Sequence, residues 1–218
     1  MKTVIKVFLF IIYILHFNAE CNASIETRDT LKVLFIGNSY TYMNNLPQIV
    51  SIISDKCNTK LITEKSASGG ATLKDHWLGN KGLETKEKIE KGVYDIVIMQ
   101  GQSTEPINAR DSLQKYSILF CDFIKRNGAK PYLFATWPRK KIPQNQEIIE
   151  YTYESIAKKT SAGLIPIGAS WEMAKKVRPD VELYGFDGSH PSELGTFLTA
   201  NVIVSYILNE LPSNLESP

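Results

Sequence analysis

Apolar and polar positions follow two alternating rhythms along this chain. LKVLFIG (31–37) is an apolar run of strand length that stops abruptly at Gly37, Asn38 and Ser39. LPQIVSIISDKC (46–57) carries apolar residues at helical spacing, with Pro47 near the first turn, where a missing N–H is tolerated. TKLITEKSA (59–67) predicts a half-exposed second strand that runs into SGGATL, and GLETKEKIEKG (82–92) predicts a charged surface helix. YDIVIMQG (94–101) is continuously apolar, as expected at the centre of a parallel sheet. SLQKYSILFCDFIKRNG (112–128) predicts a helix closed by Asn127 and Gly128. KPYLFATW (130–137), a helix over 146–160 and GLIPIG (163–168) repeat the theme, and SELGTFLTANVIVSYILNEL (192–211) predicts a strongly apolar last helix.

Five strands separated by helices imply one parallel sheet covered on both faces, a doubly wound α/β/α sandwich. No linker, repeat or low-complexity tract interrupts it, so a single domain over 24–218 is expected. Ligands of such sheets bind beyond the carboxyl ends of the strands. That places the segments after Ile36, Ala67, Met99, Thr136 and Ile167 on one rim.

The first 23 residues depart from this pattern. Lys2 and Lys6 precede the apolar run VFLFIIYIL (7–15), too short to cross a bilayer but of the length of a secretory h-region. Cys21 and Ala23 satisfy a small-x-small cleavage rule, giving a signal peptide over 1–23; lipidation of Cys21 is the alternative, against which Asn18, Ala19 and Glu20 make a poor lipobox. The net charge of +2 over 218 residues comes from mixed charges without a basic block, which gives no electrostatic case for nucleic acid or an anionic membrane surface. Cys57 and Cys121 would pair in an oxidising compartment or sit as free apolar thiols. No Cys/His cluster suggests a metal.

Ser39 follows the first strand through a glycine that permits a tight turn. A serine hydroxyl attacks only when a base takes its proton and donors stabilise the oxyanion. Of the three histidines, His16 is in the signal segment and His76 lies in a polar stretch; His190 sits in YGFDGSHPSELG with Asp187 three residues upstream. Alone, that segment reads equally as a polar turn at a helix start. With Ser39 on an independent strand end, it reads as base and orienting acid. Gly69 and Gly70 offer backbone N–H groups without a side chain in the way, and Gln100 and Gln102 offer amides after the third strand.

These blocks together resemble the SGNH (GDSL-like) hydrolase superfamily. GNSYT resembles its first block, SGG its second and DGSHPS its last, in the same order and across nearly the whole mature chain. The resemblance implies a flavodoxin-like sandwich and two-step acyl transfer without a metal or organic cofactor. Ser39 would be the nucleophile, His190 the base and Asp187 its partner. Ser39, Gly70 (or Gly69) and Gln102 (or Gln100) would form the oxyanion hole. Two blocks depart from the family pattern: Asn38 stands for the acid of GDS, and GQST stands where G-x-N-D is usual, as in a subset with Q-x-Q-S. Asn38, Gln100 and Trp137 are expected beside the substrate. Trp171 is expected in the core, and Arg139 and Lys140 on an exposed loop. The implied substrate is a small-molecule or glycan ester, acetyl foremost. Transfer to another alcohol, and a non-catalytic glycan- or phosphate-binding domain, are the alternatives.

Overall fold

A computed structural model describes residues 28–210. The segment expected to be a signal peptide, with Cys21, therefore lies outside the described residues. The strands are β1 (Thr30–Gly37), β2 (Lys60–Ala67), β3 (Ile96–Met99), β4 (Lys130–Phe134) and β5 (Gly163–Ile165). They form one five-stranded sheet in the order β2-β1-β3-β4-β5. Every pairing is parallel. The chain winds outward from β1 in both directions, so the strand order reverses between β1 and β3. The crevice at that reversal is where doubly wound sheets hold ligands.

Alternation within β1 divides the core between two layers. Val33 and Phe35 point to one face with Ile96 and Ile98, where α2 (Leu46–Ser54) and α9 (Glu193–Leu208) cover them through Val50, Ile53, Ala200 and Ile203. Leu34 and Ile36 point to the other with Val97 and Met99. There α3 (Leu73–Leu78), α4 (Thr85–Gly92), α6 (Arg110–Arg126) and α7 (Gln146–Thr160) close over them. Residues 33–37 of β1 and all of β3 are buried, matching the unbroken apolar runs. β2 is an edge strand and stays half exposed. The remaining helices are α1 (Ser39–Tyr42), α5 (Glu105–Asn108) and α8 (Ile167–Val177).

Two strand ends differ from expectation. β4 stops at Phe134, and β5 stops at Ile165 because Pro166 has no N–H for the ladder; α8 begins directly after it. Cys57 and Cys121 are free thiols that pack in different core layers, which rules out their pairing in this fold. Among the described residues no helix is long and apolar enough to cross a membrane.

Candidate active site

Ser39 is the first residue of α1 and leaves β1 at its carboxyl end. Asn38 caps this short helix by accepting the Tyr40 N–H on Oδ1 at 3.2 Å. Its amide nitrogen donates to the carbonyls of Ala71 at 3.0 Å and Gly101 at 3.5 Å. Gln100 completes the brace from β3: its Oε1 accepts from the Asn38 N–H at 3.1 Å and from Thr41 Oγ1 at 2.9 Å. Gly37 is required here, since a Cβ would fall 2.2 Å from Thr41 Oγ1 and 2.6 Å from Gln100 Oε1. Asn38 and Gln100 are thus buried, at 2% and 1% exposure, and shape the turn from behind instead of facing substrate.

A second loop brings the histidine. An antiparallel bridge joins Tyr184 to Pro191, and the Gly185 N–H donates to the His190 carbonyl at 2.8 Å. Asp187 Oδ1 accepts the N–H groups of Ser189 at 3.0 Å and His190 at 2.9 Å, which leaves Oδ2 for His190 Nδ1 at 2.5 Å. The Ser189 N–H, then the His190 ring, hold the Asp187 carboxyl down at about 2, so it is ionised at neutral pH. An ionised Oδ2 can only accept, so Nδ1 carries a proton, and in the neutral form of the ring Nε2 then holds the lone pair. Ser39 Oγ lies 2.8 Å from that Nε2. Ser39 and Asp187, 148 positions apart in sequence, therefore meet the two ring nitrogens of His190 in one line of side-chain contacts, the arrangement that serine triads share. Ser192, two residues beyond His190, caps α9 through the Gly195 N–H and anchors the loop to that helix.

An aromatic ladder supports this loop from beneath. Tyr40 stacks on Trp137 at 4.6 Å and Trp137 stacks on Trp171 at 3.9 Å, both with nearly parallel planes. Tyr40 also meets the His190 ring edge-on at 5.4 Å, and its hydroxyl bonds Ser189 Oγ at 2.6 Å. Trp137 Nε1 donates to the Ser189 carbonyl at 3.0 Å. Trp137 is only 1% exposed, so the expectation that it lines a substrate pocket is corrected: it is a shelf under the histidine loop. Trp171 is in the core as expected. Lys140 does not stand free on its loop but pairs with Glu182 and donates its N–H to the Gly188 carbonyl.

Gly70 occupies the left-handed region at φ +61° in an exposed turn after β2. The neighbouring Gly69 carbonyl accepts from Lys81 Nζ at 2.9 Å. The Gln102 amide is oriented by its own loop: Oε1 accepts from the N–H and hydroxyl of Thr104, both at 2.8 Å, and Nε2 lies 3.3 Å from Ser103 Oγ. Gln102 is partly exposed whereas the Gln100 amide is enclosed, with its Nε2 turned onto the Gly101 carbonyl.

Two titratable residues near this rim are buried, His76, which the sequence places in a polar stretch, and Glu105, which it does not single out. His76 donates from Nε2 to the Gly37 carbonyl at 2.9 Å and accepts on Nδ1 from Thr85 Oγ1 at 2.7 Å. The carbonyl can only accept, so this tautomer follows, and burial pushes the His76 pKa down and keeps the ring neutral. Glu105 Oε2 accepts the Gln102 N–H at 2.7 Å, and burial raises its carboxyl to about 7. The signal for both was present only as polar residues in the segments that follow strands, a pattern shared with ordinary turns, and both fall in short helices, His76 in α3 and Glu105 in α5.

Solved structures share this architecture. A protein from Slackia heliotrinireducens, provisionally described as an SGNH hydrolase, superposes with TM-score 0.70 at 23% identity over 82% of this chain and 100% of its own. The fold is that of the SGNH hydrolases. A DUF4886 family protein from Bacteroides uniformis gives TM-score 0.71 at 18% identity, covering 87% of this chain and 88% of its own. An acetyl xylan esterase gives 0.62 at 14% identity, covering 80% and 98%. At these identities the likeness carries the SGNH fold alone. No family model matches the chain, and no curated protein matches it.

Proposed function

We propose that the chain is an exported serine ester hydrolase that removes small acyl groups, acetyl foremost, from carbohydrate. The observation that carries this reading is the imidazole of His190 between Asp187 Oδ2 at 2.5 Å and Ser39 Oγ at 2.8 Å. A non-catalytic binding domain has no use for that contact.

In the proposed reaction His190 Nε2 takes the Ser39 proton as Oγ attacks the ester carbonyl. Asp187 holds the tautomer and stabilises the imidazolium. The carbonyl oxygen becomes an oxyanion facing the N–H groups of Ser39 and Gly70, with the Gln102 amide as side-chain donor; each donor lowers the barrier by roughly 3 kcal/mol. Collapse expels the alcohol, which takes the proton from His190, and leaves an acyl-Ser39. Water, deprotonated by His190, attacks this ester; the acid departs and Ser39 recovers its proton. Every proton passes through one nitrogen, so no metal or organic cofactor is needed.

Carbohydrate as the alcohol is supported by the acetyl xylan esterase among the proteins of like fold and by the secretory pattern of residues 1–23. A panel of p-nitrophenyl acyl esters and acetylated oligosaccharides tests the reading. Wild type should prefer the shortest acyl group, and Ser39→Ala should lose activity by roughly 10³-fold or more. Equal hydrolysis by Ser39→Ala would show that the chemistry lies elsewhere.

A further inference from the structure

Gly70, in the turn after β2, and Gln102, in the loop after β3, carry the donors proposed for the oxyanion besides Ser39. Asn38 ties the carbonyls of these two segments together by donating to Ala71 and to Gly101. Their N–H groups converge on a different side chain. Glu105 Oε2 accepts the Gln102 N–H at 2.7 Å, and the Leu73 N–H, at the start of α3, also bonds the Glu105 carboxyl. The Glu105 N–H returns to the Gln102 carbonyl at 2.9 Å. One buried amide thus donates to both segments, and one buried carboxyl, 4% exposed, accepts from both.

The carboxyl is closely confined. A Cβ on Gly101 would fall 3.3 Å from Glu105 Oε2, 3.0 Å from the Tyr153 hydroxyl and 2.6 Å from Leu113 Cδ1, so a glycine is needed for the backbone to pass. The Tyr153 hydroxyl accepts the Gly101 N–H at 3.3 Å and fixes the residue before Gln102. A charge in this position is costly, and burial raises the Glu105 carboxyl to about 7 in spite of its two N–H partners. Asp75 on α3 and Tyr153 on α7 are the titratable groups that face it. Asp75, against its partial burial, is held down at about 2 by the Thr72 N–H, and burial pushes the Tyr153 hydroxyl far up. Between pH 5 and pH 8 both therefore keep one protonation state while Glu105 changes its own.

We propose that Glu105 is a positioning residue of the oxyanion hole, whose carboxylate, opposite Asn38, sets the Gly70 turn and the Gln102 loop against each other. The proposal rests on the reading of Ser39 as an ester-hydrolysing nucleophile with Gly70 and Gln102 as donors. An ionised carboxyl accepts on both oxygens; a protonated one keeps a single good acceptor, so one segment loosens and its donor drifts from the oxyanion. The same hole serves acylation and deacylation, so kcat falls whichever step limits.

Hydrolysis of p-nitrophenyl acetate by wild type and Glu105→Gln between pH 5 and pH 8 tests this. Titration of His190 is common to both chains and cancels in their ratio. The kcat of wild type over that of Glu105→Gln should rise from about one at pH 5 to about tenfold at pH 8, the size of one lost hydrogen bond to a charged group, with KM unchanged. A merely structural role would give a ratio that does not depend on pH. A constant ratio, or a change confined to KM, overturns the proposal while an inactive Ser39→Ala keeps the Ser39 chemistry intact; Ser39→Ala as active as wild type removes both. A second measurement leaves Glu105 in place. In His190→Ala, where the relay no longer titrates, the backbone amide protons of Leu73 and Gln102, followed by NMR, should shift together with one midpoint at about 7. Separate midpoints, or no titration of either, overturn the clamp.

Discussion

The side-chain nitrogen of Asn38 lies 3.0 Å from the carbonyl oxygen of Ala71 and donates to it. This contact joins the turn that carries Ser39 to the turn that carries Gly70, and the second donation to Gly101 ties in the loop after β3. Three candidate elements of one reaction centre are thus set by a single amide, itself 2% exposed.

An acid at this position would lose both donations. Asn38→Asp turns carboxylate oxygen toward two carbonyls in a buried site, and stability should drop by about 1–3 kcal/mol. Esterase kcat should fall with it while KM changes little, since the nucleophile and glycine turns shift together. Thermal melts and steady-state kinetics check this; wild-type stability in Asn38→Asp would show that the brace is idle.

Trp137 gives a different signature. Trp137→Phe keeps a ring in the stack between Tyr40 and Trp171 but loses the bond from Nε1 to the Ser189 carbonyl. The loss should cost about 1 kcal/mol of stability and lower kcat through the histidine loop. A rise in KM at unchanged kcat would instead mean that the indole touches substrate.

Glu105 should impose a pH dependence on stability. Its carboxyl is raised by burial from 4.5 to about 7, so between these values the folded chain holds a proton that the unfolded chain has released. The penalty for burying the charge is absent below about 4.5, grows as pH rises through 7, and is complete above it. Glu105→Gln removes the group that titrates. Measured by denaturant unfolding, wild type should therefore lose stability relative to Glu105→Gln between pH 5 and pH 8. A constant difference across that interval would mean that Glu105 is charged throughout.

Much of this architecture is visible in the chain because its causes are local. The runs that become β1 and β3 are apolar at every position because both sheet faces are covered, and Gln146–Thr160 forms as its periodicity dictates. The meeting of Ser39, His190 and Asp187 was legible because each of the two segments that carry them follows a recognisable turn. What the sequence conceals depends on contacts between distant segments. Trp137 looks like a rim aromatic until Trp171 and Tyr40 are seen on its two faces. Gln100 and Gln102 look interchangeable until one is found clamped to Asn38 and Thr41 and the other at the open edge.

The relay itself is tested most directly by active-site titration with a fluorophosphonate, with the modified residue located by peptide mass spectrometry. Folded wild type should take up one equivalent on Ser39, heat-denatured protein none, and His190→Ala should react at least about 10³-fold more slowly. Absence of label on Ser39 in the folded protein, or labelling that is indifferent to His190, would contradict the assignment of Ser39 as a nucleophile activated by His190.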